Sequence, residues 1–359
     1  MIIVGVVLFA LLVIVHESGH LVMARRAGVE VEEFGIGFPP RLFARRLGKA
    51  KTLYSLNLIP LGGFVRLKGE ADQDKAKGSF GAARFSRKAK ILLAGVAMNI
   101  LAAYLLVLML AWTGMPQLIS NQFSLAIDER ARRSEVIVVD VVKDSAAAKA
   151  GIQAGSVIKQ INGTAITDRQ SLLNYTHPRP GQTVNVIFSE GGAEHTSQVE
   201  LGQADDGKGQ LGVVPFDNTI VRYSWSAPLV ALVITAQAIG LTLVGLARVI
   251  FGLITEGTAS EAVAGAVGPV GLFALLNSAS QLGFAYIVLL IIAISISLAV
   301  INALPLPALD GGRLALISIF RAIKKPLSQK LESAVHTVGF VVLLMLVILI
   351  SIFDAKRFF

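Results

Sequence analysis

"VHESGHLVMA", residues 15–24, decides how the chain is read. The fourteen residues before it, Met1 to Ile14, carry no charge, and the apolar run resumes after it as far as Arg25 and Arg26. Two histidines and a glutamate therefore lie inside a segment long enough to cross a bilayer. Ionisable groups in such a segment are costly and point to function by default. On a helix, positions i and i+4 share a face, so His16 and His20 can offer ring nitrogens to one metal ion. Glu17 is one residue on, placed to touch a water at the metal without being a ligand. Zinc in such a site draws the pKa of water towards neutrality, and the carboxylate takes up the proton as water attacks a carbonyl. The same carboxylate can then protonate a leaving amine.

Composition agrees with a membrane setting. Of 359 residues, 54% are hydrophobic and only 16% charged, with a mean hydropathy of +0.67. So few charges cannot cover the surface of a soluble domain, and an integral membrane protein is expected. The net charge of +9 is concentrated rather than spread. Residues 25–90 hold 15 Lys/Arg against 6 Asp/Glu, and residues 116–224 hold 10 against 12. A basic block beside apolar spans marks a cytoplasmic loop facing the bilayer, not a nucleic-acid site. There is no cysteine, which excludes disulfides and cysteine-ligated metals. Met1 to Ala24 has neither a positive start nor a small-residue cleavage site, so it reads as a retained helix.

Three further segments are long enough to cross: 91–112, 284–306 and 338–353. The positive-inside rule puts 25–90 in the cytoplasm and 116–224 outside. The loop "RAIKKPLSQK", 321–330, has four Lys/Arg and no acid, and belongs inside. An odd number of crossings is then needed between 225 and 320. With 284–306 as the one crossing, 228–254, which is interrupted by Gln237 and Arg248, is expected to lie along or dip into the membrane. Four transmembrane helices with both termini outside follow.

A catalytic zinc takes three protein ligands and keeps one position open. His177 and His195 fall in the external segment, and His336 follows the basic loop. The stronger candidate is Asp310 in "NALPLPALDGG", 302–312, just past a helix broken by Pro305 and Pro307. His16 lies about 22 Å along the first helix at 1.5 Å per residue, towards the cytoplasmic side of a core about 30 Å thick. The crossing count brings Asp310 to that side too. Between the two motifs, "SEVIVVDVVKDSAAAKAGIQAGSVIKQINGTAI" reads as strand, small-residue helix, Gly-bounded turn, strand and Asn-Gly hairpin. The runs "TVNVIFSE", "HTSQVEL" and "GQLGVVP" follow. A small α+β domain similar to a PDZ domain is expected.

H-E-x-x-H in the first span, N-x-x-P-x-P-x-L-D-G in a later one and a PDZ-like insert between them resemble the site-2 protease family of intramembrane zinc metalloproteases. The bacterial regulator of sigma-E protease group is the nearest match, over essentially the whole chain. The resemblance implies that His16, His20 and Asp310 bind one Zn2+ per chain and that Glu17 is the catalytic base. It implies a substrate that is a single-span membrane protein, such as an anti-sigma factor or a remnant signal peptide, cut within its helix in regulated intramembrane proteolysis. It also implies a multi-pass protein of the bacterial cytoplasmic (inner) membrane, and it matches Asn302 to an asparagine that engages the substrate backbone. The chain has room for one PDZ-like domain where better-known members often have two. Its second span reads "AGVAMNI", keeping the spacing of Gly95 and Asn99 without the family's proline. Asn99 is a candidate for holding substrate or the geometry of the zinc site, or for an interhelical hydrogen bond between spans.

A helical substrate hides its peptide bonds in its own hydrogen bonds and must unwind to be cut. "TLYSLNLIPLGGFVRLKGE", 52–70, has two β-type runs around Pro60 and Gly62–Gly63. A membrane-reentrant hairpin there could take an unwound substrate as an added strand, with Gly62 and Gly63 at the contact. The expected architecture is thus a polytopic α-helical membrane protein with four transmembrane helices, a membrane-reentrant β-hairpin and one inserted PDZ-like α+β domain. Its divisions are 1–114 (N-terminal membrane part), 115–220 (extracytoplasmic PDZ-like domain), 221–283 (membrane-surface helix and linker) and 284–359 (C-terminal membrane part). The external domain could bind a newly made C-terminus or exclude bulky substrates by size. Alternatives from other classes are a membrane zinc transporter and a non-catalytic PDZ scaffold. Glu17 argues against the first, since ion transport needs no base beside the ligand pair. The complete set of ligands and base argues against the second.

Overall fold

The computed structural model describes residues 2–48, 51–72, 74–117, 119, 121–129, 131–255 and 267–358. Part of the linker expected within 221–283, residues 256–266, lies outside them. Contacts divide the chain into two units, one of 1–106, 235–276 and 290–359, the other of 107–234 and 277–289.

In the first unit, α1 (Ile2–Ala27) is followed by β1 (Val31–Leu47), β2 (Thr52–Leu67) and α2 (Phe85–Thr113). The β-element differs from the expected hairpin within 52–70. β1 and β2 each fold into two halves, and residues 33–36 pair on both sides. Phe34 lies opposite both Tyr54 and Val65, while 41–47 pair with 52–57 from the other side. Four short segments result, in the order 41–47, 52–57, 33–36, 63–67. The two runs flanking Gly62–Gly63 do not pair with each other, because 33–36 lies between them. Glu33 explains why this arrangement holds. Its side chain is 3% exposed and accepts hydrogen bonds from Ser55 Oγ (2.7 Å), Arg41 (2.8 Å) and Arg66 (2.8 Å), one from each of the other three segments. A buried carboxylate is tolerated only when paired and hydrogen-bonded in this way.

The second unit contains β3 (Met115–Pro116), β4 (Ala131–Val141), α3 (Ala146–Lys149), β5 (Val157–Ile161), β6 (Thr164–Ala165) and α4 (Arg169–Thr176). They are followed by β7 (Thr183–Glu190), β8 (Ala193–Glu200), the two-residue pair β9 (Gly202–Gln203) and β10 (Gly209–Gln210), and β11 (Val213–Arg222). One antiparallel sheet runs β3-β11-β4-β5-β7-β8, with β6 on β5. The expected Asn-Gly turn is there: Asn162 and Gly163 both have positive φ, as a two-residue hairpin of this hand requires. Alternation in "TVNVIFSE" puts Val184, Val186 and Phe188 into a core with Val136, Val138, Ile158, Ile161 and Val199. Asp168 and Ser171 cap α4 reciprocally.

The remaining helices are α5 (Ala227–Thr255), α6 (Pro269–Leu282), α7 (Phe284–Ala303), α8 (Asp310–Ala322) and α9 (Gln329–Phe358). Among the described residues four helices are long and apolar enough to cross a membrane: Phe85–Thr113, Ala227–Val249, Phe284–Ala303 and Gln329–Arg357. Three of these contain or match expected spans, and the expected first span is the 26-residue α1. The segment expected at 228–254 to lie along or dip into the membrane falls in α5, whose Ala227–Val249 stretch is one of the four. Neither Gln237 nor Arg248 breaks the helix, which runs unbroken for 29 residues.

Candidate active site

The i, i+4 spacing on α1 brings His16 and His20 together with their Nε2 atoms 3.2 Å apart. Asp310, 294 residues after His16, places Oδ2 at 3.1 Å from His16 Nε2 and 3.2 Å from His20 Nε2. The three atoms form a nearly equilateral triangle. Three ligands of a tetrahedral zinc with bonds of about 2.0–2.1 Å are separated by about 3.3–3.4 Å, so the residues present fit the ion the motif implies. Among the described residues this is the one cluster of three or more such donors.

Helix α2 makes room for the triangle. A Cβ built on Gly95 would lie 2.5 Å from the Nε2 atoms of both His16 and His20, and one on Gly19 would lie 2.4 Å from the Ala94 carbonyl oxygen. Glycines at both contacts let the two helices approach closely, with the imidazoles against bare backbone. The same helix orients the rings. His20 Nδ1–H donates to the Ile91 carbonyl at 2.8 Å, which leaves its Nε2 lone pair free for a metal. His16 Nδ1 is 3.3 Å from the amide of Asn99, a fully buried residue. With the amide oxygen turned towards the ring, His16 Nδ1–H donates to it. That orientation frees His16 Nε2 in turn. Asn99, expected to hold either substrate or the geometry of the zinc site, is packed against the His16 ring.

Asp310 owes its place to the glycines after it. A Cβ on Gly311 would lie 2.3 Å from the Ala303 carbonyl oxygen, and one on Gly312 would lie 1.8 Å from that of Leu306. Only glycines let the chain reverse so tightly between α7 and α8, and the reversal sets Asp310 at the first position of α8. The Gly311–Gly312 turn after the broken helix is what aims the Asp310 carboxylate at His16 and His20.

Glu17 is beside the triangle, with His20, His16 and Asp310 as its neighbours and the Val65 backbone against its carboxylate. A Cβ on Gly63 would lie 3.4 Å from Glu17 Cγ and 3.2 Å from Val13 Cγ1, so the 63–67 segment runs directly past Glu17. Gly62 has φ +83 and backs onto the Phe38 ring. The Asn302 side chain donates to the Leu298 carbonyl one turn back along α7, at 2.9 Å. Sequence reasoning did not find the roles of Ile91, Gly95 or Glu33. For Gly95 a signal existed, since it shares a helix face with Asn99 four residues on.

Two histidines one helical turn apart, a glutamate beside them and a carboxylate from a distant helix define a metallopeptidase site. The profile of Peptidase family M50 matches residues 4–346, and the chain belongs to this family. A Clostridium perfringens relative bearing a zinc metalloprotease name is 30% identical over 96% of this chain and 96% of its own. The zinc metalloprotease RasP of Shouchella clausii is 25% identical over 99% and 98%. The regulator of sigma-W protease RasP of Bacillus subtilis is 24% identical over 99% and 98%. A solved PDZ domain of an SdrC-like protein from Listeria innocua is 25% identical over 23% of this chain and 92% of its own, with a TM-score of 0.22.

Proposed function

We propose that the chain is an intramembrane zinc endopeptidase that cuts single-span membrane proteins within their transmembrane segments, in regulated intramembrane proteolysis. The observation that carries this reading is the donor triangle of His16, His20 and Asp310 beside Glu17, in a chain whose described residues include four helices of membrane-crossing length and composition. His16, His20 and Asp310 hold one zinc ion, which when bound polarises the scissile carbonyl and acidifies water. Glu17 takes a proton as water adds to the carbonyl carbon, and returns it to the amine nitrogen as the C–N bond breaks. Products are a carboxylate and an amine.

Segment 63–67 is the edge that receives substrate. Within the β-element it pairs on one side only, with 31–36, and it passes Glu17. An unwound substrate added along its other side would carry a peptide bond past the base. Gly63 keeps this approach narrow, and Asn302 and Gly62 complete the substrate surface. Anti-sigma factors are the favoured substrate class, in keeping with the sigma-W regulation that one relative's name records.

The protein is multi-pass in the bacterial cytoplasmic membrane, with 115–220 and both termini outside. His16 and Asp310 meet at one depth only if α7 enters from outside. Helix α6, with 14 residues, spans about 21 Å, less than a core of about 30 Å, and so does not by itself return the chain if α5 crosses. That supports α5 lying in the membrane without crossing it. The 115–220 domain is a PDZ-like gate. The test is mass-spectrometric mapping of products from a single-span substrate lacking its external domain, in proteoliposomes. Cleavage inside the apolar segment is expected; cleavage only in flanking polar residues would overturn the reading.

A further inference from the structure

Helix α9 meets the Asp310 loop at three residues spaced i, i+4 and i+7, which share one helix face. Glu332, 6% exposed, accepts from Arg313 Nε at 3.2 Å, three residues into α8 from Asp310. His336 Nδ1 accepts the Ala308 backbone N–H at 3.1 Å. A Cβ on Gly339 would lie 2.3 Å from Pro307 Cβ and 2.7 Å from its carbonyl carbon, so α9 and the loop touch through bare backbone. Ala308, two residues before the ligand, has φ +73, a left-handed conformation that a residue with a side chain adopts only when its surroundings impose it. The imposed turn and its hydrogen bond belong to the same residue.

We propose that His336 is a positioning residue for the third metal ligand. By accepting the Ala308 N–H it fixes the left-handed turn that aims the Asp310 carboxylate at His16 and His20. Glu332 and Gly339 hold the same face of α9 against the loop, so that His336 meets Ala308 in register. Glu332 also accepts the Asp72 N–H at 3.2 Å, and Arg313 donates to the Glu70 carbonyl at 2.5 Å. The face that braces Asp310 is thereby anchored to the chain leaving β2. The inference rests on Asp310 being a zinc ligand.

The side chains of asparagine and glutamine separate this role from packing. Asn Oδ1 stands two bonds beyond Cβ, as His Nδ1 does, whereas the oxygen of Gln is one bond further out. Zinc affinity of the full chain in detergent is measured by chelator competition for wild type, His336→Ala, His336→Asn, His336→Gln and His16→Ala. His336→Ala and His336→Gln are expected to weaken zinc about 10- to 100-fold, the range for residues that orient a ligand, with His336→Asn close to wild type. The cobalt-substituted absorption spectrum should shift in the same two variants. Wild-type affinity in both His336→Ala and His336→Gln, or a loss in His336→Asn equal to that in His336→Gln, would overturn the proposal. If His336→Ala does not fold, the Asn–Gln comparison alone decides it. Unchanged affinity in His16→Ala would refute the zinc site itself; weakened binding there with wild-type binding in the His336 variants would refute only the role of His336.

Discussion

Gly95→Ala is a one-carbon test of the site. The added Cβ would lie 2.5 Å from Nε2 of both His16 and His20. Ordinary carbon–nitrogen contacts begin at about 3.4 Å, so rings or helix must give by roughly 0.9 Å, against a tolerance of about 0.2 Å for ligand distances at a metal. Zinc affinity should therefore fall at least about 100-fold, equivalent to about 2.7 kcal/mol. The fold should survive, because overpacking by one methyl costs about 1–3 kcal/mol and alanine suits a helix better than glycine. Gly240→Ala and Gly245→Ala on α5 are the controls, since a Cβ there meets nothing within 4 Å. Chelator competition on the detergent-solubilised chain, with melting curves of the zinc-free protein, reads both quantities. A Gly95→Ala protein that binds zinc as tightly as the controls would refute the cradle.

Three other outcomes are expected. Asn99→Leu, which removes the partner of His16 Nδ1, should weaken zinc about 10- to 100-fold in the same competition assay, while zinc-free melting changes little. Glu33→Gln should loosen the four-segment sheet, seen as faster protease cleavage between residues 37 and 62, because Arg41 and Arg66 lose their shared carboxylate. Asp128 gives a pH signature. Burial works against its charged form, but hydrogen bonds from the side chains and N–H groups of Ser224 and Ser226 hold its carboxyl well below the usual carboxylate range. A pKa depressed on folding stabilises above the unfolded value of about 3.9 and stops doing so as pH falls through the folded value. Melting temperature of the wild type should drop between about pH 4 and pH 2, and Asp128→Asn should flatten that drop.

What the sequence disclosed is what side-chain identity and helical period encode. His16 and His20 announce themselves by spacing, and Asp310 follows from ligand number and depth. The 115–222 strands follow from alternation and the Asn-Gly turn. What stayed hidden depends on backbone or on non-local pairing. The Ile91 carbonyl has no residue signature, and Gly95 shows in the sequence only through its spacing to Asn99, not as the contact of both histidines. Residues 31–47, "VEEFGIGFPPRLFARRL", do not look like a strand, since adjacent glutamates and a Pro-Pro break the alternation. They pair because Glu33 gathers Arg41, Ser55 and Arg66, which no local pattern reveals. For α5, an apolar surface helix and a crossing helix share the same composition, and neighbouring elements decide between them.

The most direct measurement compares wild type with Glu17→Gln on a single-span substrate in proteoliposomes, with bound zinc quantified in both. Glu17→Gln should keep its zinc and lose about three orders of magnitude in cleavage rate. Equal cleavage by the two zinc-loaded proteins would contradict the role of Glu17 as the base and, with it, the proposed mechanism.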